Sequence, residues 1–332
     1  MDSKIAINSE KWLLENLVCP RDYSNLQLKN DFLTCAFGHL YPYIDGIPIM
    51  LLKEAKPTHG ACCKSVEQPS VNHEYNPYCG TEVIPGAIDP YVQSEVAGTC
   101  GIMYRKLINK LNRYPIPELC LPSSKGQYFL DIGCNWGRWC ISAANKGYTC
   151  VGIDPSLDGI KAAYRVARQL GVSNIYIVAD SRCLPFRSNF FDVIFSYSVF
   201  QHFDKHDVCL SLAEIKRTLK TSGLSLIQMP NIFGLRNLYN QAKRGFRNPV
   251  SFEVRYWFLS ELRRTFRDLI GPTSSFVDGY FSLNAQVSDI DLFPLKYGLL
   301  INSSEILRRI SVKVKWFKYF SDSIYVKSIK MA

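Results

Sequence analysis

No uninterrupted apolar stretch among the 332 residues approaches the roughly 18–20 that a membrane-spanning helix needs, so no transmembrane segment is expected. The amino terminus lacks the basic segment and apolar core of a secretory leader. No internal repeat or low-complexity tract is present, which excludes solenoid and propeller architectures. The twelve cysteines lack the dense spacing of a small secreted disulfide framework. They are scattered through apolar and motif positions, as in a reduced protein, and a cytoplasmic setting is expected. With 47% apolar and 20% charged residues, disorder is not the default either. The length accommodates one large domain plus a smaller module.

Charge is present but unevenly placed. The net charge is +10, yet residues 1–60 carry six Lys/Arg against seven Asp/Glu. Residues 231–270 carry eight against three and residues 301–332 seven against two, so these two pieces supply the whole excess. A basic surface suits an anionic partner (phosphate, carboxylate, nucleic acid or an anionic membrane face), or is simply a set of solvated helix faces.

Three textures follow one another. Residues 12–52 are compact, with short apolar runs around Cys19 and Cys35. Residues 53–120 are irregular, turning helical near Met103–Leu111 before a turn at Tyr114-Pro115-Ile116-Pro117. From Tyr128, short apolar strands alternate with amphipathic helices, the pattern of a parallel sheet made of βαβ units. Strands are expected at Tyr128–Ile132, Thr149–Ile153, Ile175–Ala179, Asp192–Ser196 and Leu224–Met229, with a last one near Ser323–Val326. Between the second and third, Ile160, Ala163, Tyr164, Ala167 and Leu170 recur at helical spacing before Gly171; between the fourth and fifth, Val208, Leu212, Ile215 and Leu219 do so before Gly223. The expected division is a module at 1–55, a linker and helical lid at 56–120, and a doubly wound, mostly parallel α/β domain at 121–332. That domain carries insertions at about 231–250 and 282–320.

The densest chemistry lies in Leu130-Asp131-Ile132-Gly133-Cys134-Asn135-Trp136-Gly137, a strand running through a glycine turn into a helix near Arg138. Glycine serves where φ is positive or where backbone must touch a ligand. Alone the turn is weak evidence. Asp154, 21 residues beyond Gly133 and followed by Pro155, strengthens it, because a carboxylate there can accept both hydroxyls of a ribose. Its bland alternative is a helix cap. Next come Val178-Ala179-Asp180-Ser181, Cys183-Leu184-Pro185-Phe186, and Phe190-Phe191-Asp192-Val193-Ile194-Phe195-Ser196-Tyr197-Ser198-Val199-Phe200-Gln201-His202-Phe203.

These four ordered motifs, over about a hundred residues, resemble the S-adenosylmethionine-dependent class I methyltransferases, in particular the ubiquinone- and menaquinone-biosynthesis group. The resemblance implies a Rossmann-like fold and S-adenosylmethionine as cofactor. It implies that Asp131, Gly133, Cys134, Asn135 and Gly137 lie beneath the methionine part, and that Asp154 and Pro155 meet the ribose. Asp180 and Ser181 would meet the adenine, and Ser196, Tyr197 and Ser198 would face the methyl. Asn135 stands where the family usually has a glycine, and Asn tolerates left-handed backbone. A nicotinamide enzyme is disfavoured, because its glycine turn must present a helix end to pyrophosphate and this cofactor has none.

Methyl transfer to a hydroxyl needs a group to take its proton, and His202 or Asp204, just after the fourth strand, would suit. The structural alternative for His202 is packing or capping at a helix start. In the N-terminal module, Cys19-Pro20-Arg21-Asp22 and Cys35-Ala36-Phe37-Gly38-His39 resemble the zinc-ribbon-like methyltransferase activators and the zinc knuckle of some ribosomal RNA methyltransferases. Asp22 stands in place of a cysteine. Cys19, Asp22, Cys35 and His39 form a candidate structural zinc set, with His59, Cys62 or Cys63 as alternative donors; the other reading is a module that has lost its metal. In the first insertion Arg236, Tyr239, Lys243, Arg244 and Arg247 are candidate acceptor-binding residues, on an apolar and basic lid or on an ordinary packed surface. The favoured function is methylation of a small-molecule or glycan acceptor, anionic in part, through a hydroxyl in a biosynthetic pathway. An RNA methyltransferase and a non-catalytic activating partner are the alternatives. Nucleic acid is disfavoured because the knuckle is net acidic and no aromatic-plus-basic platform stands out.

Overall fold

The computed structural model describes residues 10–52, 54 and 85–331. His59, Cys62 and Cys63 lie outside the described residues. After α1 (Glu10–Asn16) come four short antiparallel strands, β1 (Leu26–Lys29), β2 (Phe32–Cys35), β3 (Leu40–Ile44) and β4 (Ile47–Pro48). The main sheet has seven strands in the order β10-β11-β9-β8-β5-β6-β7. Its parallel part is β5 (Tyr128–Ile132), β6 (Thr149–Asp154), β7 (Ile175–Val178), β8 (Phe191–Ser196) and β9 (Leu219–Pro230). β11 (Ser323–Ile329) runs antiparallel to β9, and β10 (Thr273–Gly279) antiparallel to β11.

The five expected parallel strands are therefore present, but two boundaries differ. The helix before β9 ends at Thr218, and the strand starts at Leu219 rather than Leu224. The ladder skips from Phe191↔Leu219 to Val193↔Leu224, so residues 220–223 leave the ladder as a bulge and Gly223 lies inside the strand instead of stopping the helix. The helix expected at Met103–Leu111 begins earlier, as α2 (Pro90–Cys100), with Pro90 at its first turn and Asp89 accepting from the Tyr91 N–H at 3.0 Å. Gly101, at φ 116°, ends it, and only a 3-10 turn, Ile102–Leu107, follows. Strand β10 gives no period-2 apolar signal; partnership with β11 makes it a strand.

Helices cover both faces: α3 (Arg138–Asn145) and α4 (Leu157–Gln169) on one, α5 (Lys205–Thr218) and α6 (Leu259–Leu269) on the other. α4 starts where Ser156 Oγ accepts the Gly159 N–H at 3.1 Å. The small N-terminal sheet is not a separate body. Trp12, Leu17 and Met50 join the core of β5–β7; Met50 N–H donates to Val178 O at 2.7 Å, and Ile49 pairs in parallel with Val178. The module thus covers the free edge of β7, which would otherwise offer an unpaired ladder.

Candidate functional site

The carboxyl ends of β5, β6, β7 and β8 line one edge of the sheet, where such folds bind ligands. Gly133, Asn135 and Gly137 alternate through the turn with φ of 77°, 45° and 81°. A Cβ on Gly133 would overlap Val199 Cγ2, and one on Gly137 would lie 2.5 Å from the Tyr176 hydroxyl. Both glycines are therefore demanded by space as well as by backbone. Asn135 carries the one left-handed position without that crowding.

Asp154 is buried, and backbone amides tether both of its carboxylate oxygens. Oδ2 accepts from Asn135 N at 3.0 Å and Oδ1 from Ser156 N at 2.8 Å. A carboxylate oxygen accepts more than one hydrogen bond, so a carboxylate held by main-chain amides can also meet a diol. Pro155 follows half-buried. Asp131 lies inside the sheet, bonded by Cys140 through its backbone and, at 3.6 Å, its thiol; it ties down the first turn of α3. Burial pushes its carboxyl up to about 7. Cys134 is buried, and burial pushes its thiol up to about 12.

α2 crosses above the turn. Asn135 Nδ2 donates to the Tyr91 hydroxyl at 3.2 Å and Trp136 Nε1 to Thr99 Oγ1 at 3.0 Å, with a buried Arg165–Asp89 ion pair of 2.6 Å fixing the helix start. Asn135 Oδ1 is buried without a hydrogen-bond partner among the described residues. A buried acceptor of this kind in a glycine cradle, next to a carboxylate, fits a polar nucleoside ligand.

Asp180 stands at the end of the next strand, held by Arg182 through Nε at 3.0 Å and Nη2 at 2.6 Å; Arg182 also reaches Asp207 at 3.0 Å. Ser181 turns inward to Ser211 (2.9 Å), and Ser196 donates to Ile132 O at 2.8 Å, so both hydroxyls brace the scaffold. Ser198 donates from N to Gln228 Oε1 at 2.8 Å, and Gln228 donates to Ser323 Oγ at 2.6 Å. Ser323 and Tyr197 both donate to Asp278 Oδ2, at 2.6 and 2.9 Å. Tyr197 and Asp278 open onto a cavity of about 450 Å³, whose walls include Cys120, Phe276, Asn284, Arg308 and Tyr325. Burial raises the Asp278 carboxyl above the ordinary range. Asp278 and this cavity were invisible in the sequence, because β10 itself was.

The other expected residues lie elsewhere. The His202 ring stacks on Phe252, centroids 3.7 Å apart, with Nδ1 2.7 Å from the Phe252 carbonyl. A carbonyl only accepts, so Nδ1 carries the proton and Nε2 is the basic nitrogen, 3.1 Å from Gln201 Nε2. Asp204 is the exposed N-cap of α5, accepting from Asp207 N at 2.8 Å; its pattern is explained by capping. Of the five residues in the first insertion, Lys243, Arg244 and Arg247 line a second, open hollow of about 590 Å³ rather than the cavity beside Tyr197. Arg247 pairs with Glu253 at 2.6 Å, and Arg236 lies 4.8 Å from the ring of Tyr239.

In the N-terminal module Cys19, Asp22, Cys35 and His39 do converge. Their donor atoms all lie within 4.8 Å of one another, with His39 Nδ1 2.9 Å from Asp22 Oδ2 and 3.3–3.4 Å from both sulfurs.

A doubly wound sheet with a glycine turn, and acidic residues ending the next two strands, is an arrangement that suits a nucleoside-bearing ligand at this edge. Residues 130–227 match the methyltransferase domain family. The chain is 32% identical over 135 residues to the ubiquinone biosynthesis O-methyltransferase of Brucella ovis, covering 37% of this chain and 53% of that one. It is 29% identical over 99 residues to the uncharacterized methyltransferase YcgJ of Bacillus subtilis, covering 30% and 38%. The chain thus spans about half the length or less of these relatives. Phosphoethanolamine N-methyltransferase 2 of Haemonchus contortus, solved with phosphomonomethylethanolamine and S-adenosylhomocysteine, shares the fold at a TM-score of 0.50 and 16% identity, over 75% of this chain and 61% of that one.

Proposed function

We propose that this protein transfers a methyl group from S-adenosylmethionine to a hydroxyl of a small molecule. The observation that carries the reading is Asp154, buried at the end of β6 with the Asn135 and Ser156 amides on its carboxylate, beside the glycine turn and an Asn135 Oδ1 that has no hydrogen-bond partner among the described residues. When bound, the cofactor supplies a methyl group activated on a sulfonium; the protein has to align, desolvate and manage one proton. Asp154 would hold the ribose, with the Gly133–Gly137 turn beneath the methionine part. Asp180 would meet the adenine through lone pairs that Arg182 leaves open. Ser196–Ser198 carry the chain from β8 to the cavity, which we assign to the acceptor. Asp278, held by Tyr197 and Ser323, is the carboxylate placed to take a proton there, and His202 Nε2 is the second candidate.

The Brucella relatives' names support oxygen as the target. The cavity walls, which set Phe276, Leu283 and Tyr325 beside Arg308 and Arg309, support an acceptor that is apolar with an anionic part, and a separate exposed patch has the same character. Exposed Phe233, Leu235, Trp316 and Phe320 stand among Arg236, Lys315 and Lys318, and the two segments meet where Asn231 Nδ2 donates to Tyr319 O at 2.8 Å. Titration of the full-length protein with S-adenosylhomocysteine tests the cofactor; no heat of binding would remove the assignment. Metabolite comparison of strains with and without the gene then identifies the acceptor.

The four-residue cluster is our proposed structural zinc site. Zinc bonds of about 2.0–2.3 Å put tetrahedral ligand atoms about 3.3–3.8 Å apart, close to the separations found here. Protein made with zinc present should contain one ion per chain and lose it on Cys35→Ser; elemental analysis without zinc would refute the site.

A further inference from the structure

We propose that the exposed face formed by residues 231–250 and 295–320 docks this protein on the surface of an anionic lipid bilayer. The docking does not depend on the methyl-transfer reading above.

The helix Leu295–Lys313 buries only Gly298, Ile301 and Ser304. On its other side Leu295, Leu299, Ile306 and Ile310 recur at spacings of four, seven and four, which is one helical stripe, and they are 36–81% exposed. The chain then turns through Lys315–Phe320, where Trp316 and Phe320 are exposed as well. The segment after β9 runs beside this turn. Its Asn231 Nδ2 donates to the carbonyls of Tyr319 and Ser321 at 2.8 and 2.9 Å, and its Phe233, Leu235 and Tyr239 are exposed. Single apolar groups on a surface are ordinary, whereas a helical stripe continued by aromatic residues from two segments is a face made to be covered.

The charge identifies the cover. Residues 231–250 hold four Lys/Arg and no Asp/Glu, and residues 295–320 hold six against one. That one acid, Glu305, is taken up by Arg308 at 2.6 Å and Arg309 at 2.7 Å. A second copy of the chain would press two such cationic faces together, and an aliphatic stripe offers nothing to a nucleic-acid backbone. An anionic bilayer meets both needs, because its headgroups attract the cations and its acyl boundary takes the stripe. The helix lies on the bilayer, since no helix among the described residues is long and apolar enough to cross one. Its inner side, at Ile301 and Ser304, walls the cavity beside Tyr197, so docking sets that cavity one helix away from the lipid.

Trp316 reports on this face directly. It is 58% exposed, while the other four tryptophans, Trp12, Trp136, Trp139 and Trp257, are buried. The full chain is titrated with vesicles of phosphatidylcholine alone and of phosphatidylcholine with phosphatidylglycerol, and binding is read by flotation and tryptophan emission. The parent should float with the anionic vesicles and not with the neutral ones, and its emission should shift to the blue. Trp316→Phe should still float and lose the shift. Arg236→Gln, Lys313→Gln and Lys315→Gln combined should weaken binding by about 100-fold, roughly fivefold for each cation. Leu299→Ser with Ile306→Ser should weaken it by about 30-fold or more and leave the melting temperature level, because both side chains are exposed in the free protein. No flotation of the parent overturns the proposal. So does a loss in only one of the two variant sets, or in neither, since the face is proposed to need both charge and stripe. A blue shift that grows with protein concentration in the absence of vesicles would mean that a second copy covers the face, and retention of RNA in place of vesicles would mean a nucleic-acid partner; either result overturns it.

Discussion

On the β6–β7 flank of the sheet the functional groups come from short stretches of chain, and each is positioned by backbone close to it. Asp154 is fixed by Ser156, two residues on, and by Asn135, 19 residues back. On the β10–β11 flank the groups are far apart in sequence: Tyr197 meets Asp278 across 81 residues, and Gln228 meets Ser323 across 95. The first flank presents main-chain amides and carboxylates at the ends of adjacent parallel strands, which suits one invariant ligand. The second joins side chains of separate strands and, at the cavity wall, of the 282–320 insertion, whose length and composition can change without disturbing the turn. A common cofactor and a particular acceptor would each find the kind of wall they require.

That contrast breaks first at the proton acceptor. Asp278→Asn should lower turnover by about 10²–10⁴-fold while leaving S-adenosylhomocysteine affinity alone. Because the base must be ionised and burial raises its pKa, the rate should climb with pH through a value above the ordinary carboxylate range. Should His202→Ala carry the large loss instead, the acid–base chemistry belongs to the β8 loop and not to the far flank.

A second test concerns the cost of the motif flank. Asp131 has a folded-state pKa of about 7 against an ordinary value of 3.8. The folded protein therefore holds a proton between those values that the unfolded chain has lost. Its contribution is complete below about pH 4 and declines as pH rises toward 7, by up to about 4 kcal/mol. Urea unfolding at pH 5 and pH 7.5 should show that decline, and Asp131→Asn should flatten it; identical slopes in both proteins would mean Asp131 is not the group responsible.

Asp154→Ala should leave two ribose hydroxyls unpaired and weaken S-adenosylhomocysteine by roughly 30–150-fold. Together with Asp278→Asn it forms a reciprocal pair, one variant changing cofactor affinity and the other turnover. Loss of both properties in either variant would dissolve the division. The smallest effect is expected at Gly171→Ala, where φ is +67° and no atom lies within 4 Å of the added methyl. It should cost about 1 kcal/mol in thermal unfolding, the strain of left-handed backbone alone. Gly133→Ala adds the overlap with Val199, so its excess over Gly171→Ala measures how tightly the turn is packed.

What the chain determined by itself is whatever depends on neighbours in sequence. Strand–turn–helix periodicity placed β5 through β9, and the Gly133-to-Asp154 spacing pointed to the sheet edge where we propose the cofactor lies, because a βαβ unit is short and its turn chemistry is local. The cysteine, aspartate and histidine spacing likewise brought one donor set together. Tertiary structure decided the rest. Asp204 became a cap and His202 a stacked ring because neighbours close by claimed their polar atoms first. Asp278 and its cavity exist only because β10, a strand with little alternation of its own, is held by β11, and β11 by β9. Burial and long-range pairing assign chemistry to such residues, and neither is a property of a residue's own segment.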